Sequence, residues 1–201
     1  MDKKKINIIL GSSSLNRKKI LESIFDDITV IKPEIDEKKI RSQNPYELPK
    51  MITKQKTLEV TRKLVNEDLC NDVHILITSD QIAIFNNQVR EKPINKDQAF
   101  NFLKSYSNNE VTTVSSIFVT NLNTGKQIDK TIVGKVKWKK ISDEIISKVI
   151  DKGVIYGACG GFSIEDEDLK SSILSIEGGE DNVKGLSLKD CLNMIFEVIL
   201  N

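Results

Sequence analysis

The stretch INIILGSSSLNRKKIL, residues 6–21, decides the fold class because it joins a short apolar run to a glycine, three serines and three cations. The run INIIL has the residue types of a buried strand. Residues 14–24 carry their apolar side chains at roughly helical spacing, which predicts a helix. The stretch therefore predicts a strand, a turn and a helix in succession.

The same alternation of strands and helices continues along the chain. No repeat, low-complexity tract or linker interrupts it, so we expect a mixed α/β fold with one continuous core and a single domain over residues 1–201. The predicted elements are a strand at 28–33 stopped by Pro33, an amphipathic helix after Pro49, a β-rich run at 74–85, a helix beginning at Asn95, a β-hairpin over 110–138 turning at NLNTG, a helix capped at Ser142 and a C-terminal helix at 189–200.

Composition excludes several classes of protein. The 30 basic and 29 acidic residues give a net charge of +1, and aromatic residues make up only 5%, so no nucleic-acid partner is expected. The apolar runs are too short to span a membrane and MDKKKIN lacks a signal peptide's apolar region, so we expect a cytoplasmic protein without a membrane partner. The widely spaced cysteines suit neither disulfides nor a zinc site, and we predict reduced thiols at Cys70, Cys159 and Cys191.

The serines and arginine after the first strand have the chemistry of a phosphate site. Backbone N–H groups at a helix start, hydroxyl donors and an arginine fork together bind anions well. Ser12, Ser13, Ser14 and Arg17 supply these groups. The alternative is that one serine caps the helix and the cations lie on a solvated face. Both interpretations stay open on this stretch alone.

Asp80 lies in the middle of the β-rich run ITSDQIAIF. A buried, unpaired carboxylate is costly, so we predict that Asp80 lies at a strand end or faces a cleft, as either a catalytic or a turn aspartate. Asp36 and Glu37 form a second acidic pair, which taken alone is surface charge. Lys56 and Lys92 are likewise solvated by default, because lysine is rarely buried.

Seven short motifs in a fixed order make the chain resemble the Maf family of nucleotide pyrophosphatases over nearly its whole length. The resemblance implies an elongated, curved mixed β-sheet flanked by helices, with two lobes and a central cleft. It also implies a hydrolase that cuts a nucleoside triphosphate between the α- and β-phosphates, releasing the monophosphate and pyrophosphate. The motifs are SSSLNRKKIL (12–21), PEIDE (33–37), ITKQKT (52–57), SDQ (79–81), EKP (91–93), CGGF (159–162) and NVKGLSL (182–188).

The resemblance assigns the phosphate-binding residues. Ser12, Ser13 and Arg17 match the family's phosphate-binding loop. Lys56 and Lys92 match its lysines that face the polyphosphate. A triphosphate carries several negative charges, so the residue types agree with the assignment.

The resemblance also implies a catalytic carboxylate and a metal. Asp80 matches the family's catalytic aspartate, as general base toward water or as a metal ligand, and Glu37 matches its acidic residue near the metal. Mg²⁺ is the expected cofactor, held by carboxylates, substrate phosphates and water.

Three positions bear on the base that is recognised: Asn16, Gln81 and Glu165. SDQ and ACGGFSIED look more like the branch that hydrolyses 7-methyl-GTP than the branch acting on dTTP and UTP. A carboxylate accepts hydrogen bonds from guanine's N1–H and N2 amine and offsets the positive charge of a methylated purine. Leu15 and Ser187 stand where the family usually has proline.

Two alternative functions remain. One is a dTTP/UTP-type Maf pyrophosphatase, and the other is a non-catalytic nucleotide-binding regulator of cell division. Since Arg17, Lys56, Asp80 and Lys92 are all present, catalysis is favoured. The expected substrate is 7-methyl-GTP or another modified nucleotide, in a house-cleaning role, and the resemblance suggests a homodimer.

Overall fold

A computed structural model describes residues 5–65 and 72–200, and its centre is a mixed seven-stranded sheet. The strand order is β2-β1-β3-β5-β6-β7, and β4 pairs with β3. Helices flank the sheet, so the predicted mixed α/β class is confirmed. The strands are β1 (Ile6–Gly11), β2 (Ile28–Val30), β3 (Val73–Phe85), β4 (Gln88–Arg90), β5 (Glu110–Asn121), β6 (Gln127–Trp138) and β7 (Ile173–Glu177).

Polar side chains cap several helices where the sequence predicts it. Ser14, Asn95 and Ser142 each accept a hydrogen bond from a backbone N–H in the first turn that follows. The helices of the described residues are α1 (Leu15–Glu22), α2 (Leu48–Lys63), α3 (Lys96–Tyr106), α4 (Asp143–Asp151), α5 (Glu167–Lys170), α6 (Glu180–Val183) and α7 (Leu188–Leu200), with 3₁₀ turns at Glu37–Lys39, Val154–Gly157 and Cys159–Gly161.

The strand β1 is paired in parallel with both β2 and β3. Parallel pairing needs a crossover, and α1 and α2 lie in the connections that provide it. Gly11, the last residue of β1, is opposite Thr78 of β3. A Cβ atom at Gly11 would lie 2.6 Å from the Thr78 methyl group, so only glycine fits where β1 leads into the serine loop.

The chain divides into two compact units, each with its own apolar packing. The first unit comprises Met1–Asp80, Ser115–Thr131 and Gly185–Asn201, and the second comprises Gln81–Val114 and Ile132–Lys184. This division leaves the expectation of a single domain over residues 1–201 as a prediction. One core cluster of the first unit is formed by Ile9, Val60 and Leu76, with Ile31, Leu64 and Leu122 packed against it.

The second unit has a core rich in aromatic rings. Tyr106 meets Phe85 and Phe162 edge to face, with ring centroids 5.2 and 5.8 Å apart, and Trp138 meets Phe162 at 5.5 Å. The Tyr106 hydroxyl donates to the carbonyl of Gly160 at 2.9 Å, and burial raises the pKa of that phenol. The hydroxyl therefore stays protonated and ties α3 to the CGGF segment.

Two findings bear on the expected location and redox state. Within residues 5–65 and 72–200, no helix is long and apolar enough to cross a bilayer. Neither Cys159 nor Cys191 is in a disulfide, and burial raises the pKa of Cys191 to about 12. Cys70 lies outside the described residues. The cytoplasmic location and the homodimer stay predictions.

Candidate active site

The loop after β1 combines a helix cap with a fixed serine–arginine pair. Ser14 caps α1 by accepting from the Arg17 backbone N–H at 3.4 Å. The buried Ser12 hydroxyl accepts from the Ser14 backbone N–H at 3.1 Å and from Arg17 Nη1 at 3.2 Å. Ser13 is exposed at the turn. The two interpretations of this stretch are thus compatible, because different serines supply the cap and the contact to the guanidinium.

A backbone carbonyl distant in sequence anchors the Arg17 side chain. Arg17 Nε donates to the carbonyl oxygen of Gly185 at 2.9 Å, and the Ser79 hydroxyl donates to the same oxygen at 3.2 Å. Gly185 has φ +121°, a backbone conformation that side chains rarely permit. These contacts hold the guanidinium through the uncharged oxygens of Ser12 and Gly185.

Lys56 joins the two acidic residues that the sequence singles out. Its Nζ atom lies 2.6 Å from Asp80 Oδ1 and 2.8 Å from Glu37 Oε1. Lys56 projects from α2, Asp80 from β3 and Glu37 from the first 3₁₀ turn. The expectation of a solvated Lys56 is therefore wrong. Glu37 is exposed, as expected of surface charge, and it also pairs with Lys56.

Asp80 lies inside β3, which runs without a break from Val73 to Phe85. The predictions of a strand-end or turn aspartate are therefore wrong. The physical reason is that Lys56 compensates the charge, so the strand can carry a carboxylate that is only 7% exposed. Burial raises the pKa of Asp80, while the nearby Lys56 and Arg17 charges lower it and Glu37 raises it further.

A column of buried hydroxyls holds α2 against β3 next to this ion pair. Thr57 Oγ1 lies 2.5 Å from Thr78 Oγ1 and 2.9 Å from the carbonyl of Thr53. A hydroxyl has one proton, so Thr57 donates to the Thr53 carbonyl and accepts from Thr78. Since Thr57 follows Lys56 in the chain, and Thr78 lies two residues before Asp80, these bonds fix both backbones beneath the ion pair.

Gln81 and Lys92, predicted to contact substrate, belong to the second unit. The Gln81 side chain donates to the Asn182 carbonyl at 2.7 Å and its oxygen lies 3.4 Å from the Cys159 sulfur. The amide thus ties the end of the SDQ motif to α6 and to CGGF. Lys92 is exposed, and Pro93 beside it is buried against Gly161.

Asn16 and Glu165 lie in different units. Asn16 is half-buried on α1 of the first unit. Glu165 lies in the second unit, where its Oε1 is 3.5 Å from Lys184 Nζ. A cavity of about 510 Å³ within the second unit is lined by Ile164, Glu165, Glu167, Lys170, Ile173, Ile176, Glu180 and Lys184.

Comparison with known proteins identifies the family. The sequence model described as "Maf-like protein" matches residues 7–198. The chain belongs to the Maf-like family. The match spans both units, so the resemblance seen in the seven motifs is confirmed.

Three proteins that this chain is similar to carry two different names. The chain is 34% identical over 192 residues to a "7-methyl-GTP pyrophosphatase" of Dictyostelium discoideum, which covers 95% of this chain and 96% of that protein. It is 29% identical over 198 residues to a "dTTP/UTP pyrophosphatase" of Clostridium botulinum (strain 657 / Type Ba4), covering 97% and 98% of the two chains. A Clostridium tetani "dTTP/UTP pyrophosphatase" is 30% identical over 197 residues, covering 98% and 100%.

The Maf-like chain offers carboxylates that fit a hard divalent cation. Glu37 and Asp80 already share one cationic atom, the Lys56 ammonium, at hydrogen-bonding distance. Within the described residues, no cluster of three or more histidine, cysteine, aspartate or glutamate side chains could hold a metal by itself. This donor set suits Mg²⁺, which commonly takes one or two carboxylates and completes its shell with substrate phosphates and water.

Two groups of the Maf-like site escaped sequence reasoning. The Gly185 carbonyl accepts from Arg17, and Ser79 donates to the same carbonyl, although both residues lie within the motifs NVKGLSL and SDQ. The glycine of KGLSL is a sequence signal for the unusual backbone at Gly185, since a glycine after a short helix often has a positive φ. Ser187 in the same motif, which stands where the family has proline, exchanges hydrogen bonds with the Asp190 side chain and backbone N–H at the start of α7.

Proposed function

We propose that this Maf-like chain hydrolyses a nucleoside triphosphate between the α- and β-phosphates, with 7-methyl-GTP or a related modified nucleotide as substrate. The observation that carries the proposal is the group formed by Asp80, Lys56 and Glu37, with Arg17 close enough to lower the pKa of Asp80. It unites a buried carboxylate with cations in the first unit. Relatives of nearly the same length that are named nucleotide pyrophosphatases support the reaction.

In this proposal the cations bind and orient the polyphosphate. The Arg17 guanidinium, held by Ser12 and by the Gly185 carbonyl, binds phosphate oxygens. Lys56 adds a second charge beside it. Lys92 and Ser13 remain predicted phosphate ligands by family resemblance. A donor held in place, as the Arg17 guanidinium is, stabilises the charge that develops on the phosphates without reorganisation during the reaction.

Asp80 supplies the basic group of the proposed reaction. As a carboxylate it either accepts a proton from the attacking water or holds the metal, and both roles require its ionised form. Mg²⁺ would be held by Glu37 and Asp80 together with phosphate oxygens. When bound, it supplies Lewis-acid stabilisation of phosphate charge and polarises water. The water attacks the α-phosphorus, the bond to the bridging oxygen breaks and pyrophosphate leaves.

The 7-methylguanine preference rests on the SDQ motif, on Glu165 and on the relative from Dictyostelium discoideum. Lys184 is within 3.5 Å of Glu165, so this carboxylate is partly neutralised before any base binds. The clostridial relatives named for dTTP and UTP favour the second candidate, a pyrimidine substrate.

The deciding experiment is pyrophosphate release with Mg²⁺ from 7-methyl-GTP, GTP, UTP, dTTP and CTP. We expect the highest kcat/KM with 7-methyl-GTP. Preference for UTP or dTTP would instead assign the pyrimidine activity. Nucleotide binding without any pyrophosphate release would contradict the enzymatic proposal and favour a binding protein.

Replacing Glu165 with glutamine tests the base assignment. We expect the ratio of kcat/KM for 7-methyl-GTP over GTP to fall by about 5-fold or more, because a neutral amide no longer offsets the positive charge of the methylated base. Glu167→Gln, a neighbouring carboxylate in the same cavity, is the matched control. An unchanged ratio in Glu165→Gln would remove Glu165 from base recognition.

A further inference from the structure

The Lys56 ammonium occupies a position between two carboxylates. Its Nζ atom is within 2.8 Å of both Asp80 and Glu37, and its side chain is only 8% exposed. Two carboxylate oxygens converging on one point are also the arrangement that a divalent cation takes up. Lys56 and a metal ion therefore draw on the same oxygens.

The backbone around Lys56 is fixed, whereas its ammonium group is on a flexible stem. Hydrogen bonds between Thr57, Thr78 and Thr53 hold this turn of α2 against the sheet. The lysine ammonium is at the end of a flexible four-carbon stem, so it can change partners while the helix stays in place. Glu37 is half-exposed and lies on a 3₁₀ turn, so the Glu37 carboxylate is accessible to water.

We infer that Lys56 is the resident counter-ion of the Glu37–Asp80 pair, and that a divalent cation binds there tightly only together with a triphosphate. The inference rests on the proposed function, since the triphosphate supplies the negative charge that receives the displaced ammonium. A dication and an ammonium on the same two carboxylates repel each other. Phosphate oxygens remove that conflict by binding both cations.

The consequence is a positive coupling between metal and nucleotide. If the triphosphate increases the affinity for the metal, then the metal increases the affinity for the triphosphate by the same factor. Lys56 is the source of the coupling, because its charge weakens the binding of the metal alone and strengthens the binding of the metal together with the triphosphate. Removing the ammonium should therefore strengthen the binding of free metal and weaken the coupling.

The experiment measures Mn²⁺ binding by electron paramagnetic resonance, which reports free Mn²⁺ without any turnover. In the nucleotide-free protein, we expect Lys56→Met to bind Mn²⁺ at least about 10-fold more tightly than wild type, within the usual range of coupling between sites. Lys56→Arg keeps the charge and should bind as weakly as wild type. The double variant Lys56→Met/Asp80→Asn should lose the gain, which assigns the gained site to Asp80.

The second arm adds the α,β-methylene analogue of GTP, which cannot be cut between its α- and β-phosphates. After correction for the Mn²⁺ complex of the free analogue, we expect the analogue to raise the Mn²⁺ affinity of wild type at least about 10-fold. In Lys56→Met the increase should be several-fold smaller. Lys50→Met is the matched control, because Lys50 lies on the same helix and pairs with Asp129 at 2.6 Å.

Clear outcomes overturn the inference. Equal or weaker Mn²⁺ binding by nucleotide-free Lys56→Met, with thermal unfolding like that of wild type, contradicts it. If Lys56→Met does not fold, wild type decides: equal Mn²⁺ affinity with and without the analogue overturns the inference. Pyrophosphate release is assayed separately. An active enzyme without coupling refutes only this inference, whereas coupling in a protein that cleaves no triphosphate refutes the proposed function.

Discussion

Asp80→Asn is expected to reduce pyrophosphate release by at least about two orders of magnitude, the usual scale for removing a positioned acid or base. Asparagine has nearly the same shape but can neither take a proton from water nor hold a metal as a carboxylate does. Asp80 lies in β3, is buried and is 2.6 Å from Lys56. Nucleotide binding should persist, since Arg17 and Lys56 remain.

The measurement is kcat for pyrophosphate release together with a nucleotide Kd. Asp129→Asn is the control, because it also breaks a lysine–aspartate pair in the first unit. Since burial raises the pKa of Asp80, wild-type kcat/KM should fall with acid at a pH above the ordinary carboxyl range. Asp80→Asn should lose this acid limb. Near-normal turnover in Asp80→Asn would refute the role of this carboxylate.

Arg17→Ala is expected to lower kcat/KM by about 10- to 100-fold, from the loss of charge-assisted hydrogen bonds to phosphate. Both KM and kcat should suffer, because the phosphate charge that Arg17 meets grows or shifts in the transition state. Arg17→Lys should not restore activity. Lysine keeps the charge but cannot bind the Gly185 carbonyl through Nε and still present a fork to the substrate.

The Arg17 variants are measured by steady-state kinetics on the best substrate of the panel. Arg62→Ala, at an exposed position in the last turn of α2, is the matched control for loss of one positive charge. Activity equal to wild type in Arg17→Ala would mean that the guanidinium serves only to join Ser12 to Gly185. A lowered Tm with unchanged kinetics would point to that structural role.

Features set by neighbours in the chain could be predicted from the sequence. The caps at Ser14, Asn95 and Ser142 depend on backbone N–H groups only a few residues away, so the local pattern contains the information. The strand INIIL followed by a helix was predictable for the same reason. Here the local preferences agree with the final fold.

The burial of Lys56 and the mid-strand position of Asp80 could not be predicted in this way. Each is unfavourable alone and becomes acceptable only because the other is 2.6 Å away. The partners are 24 residues apart, on a helix and a strand. A periodicity argument treats each residue singly and therefore assigns Lys56 to solvent and Asp80 to a strand end. The order of the motifs indicated that Lys56 and Asp80 were both site residues, but it did not predict that they form an ion pair.

The hydrogen bond from Arg17 to Gly185 also has a consequence for how the protein is made. The two residues are 168 positions apart, so a ribosome synthesises Arg17 long before it adds the carbonyl that orients it. The first unit likewise draws on Met1–Asp80 and Gly185–Asn201. During translation the serine loop therefore emerges without its anchor, and the Arg17 side chain acquires its observed position only after Gly185 has left the exit tunnel.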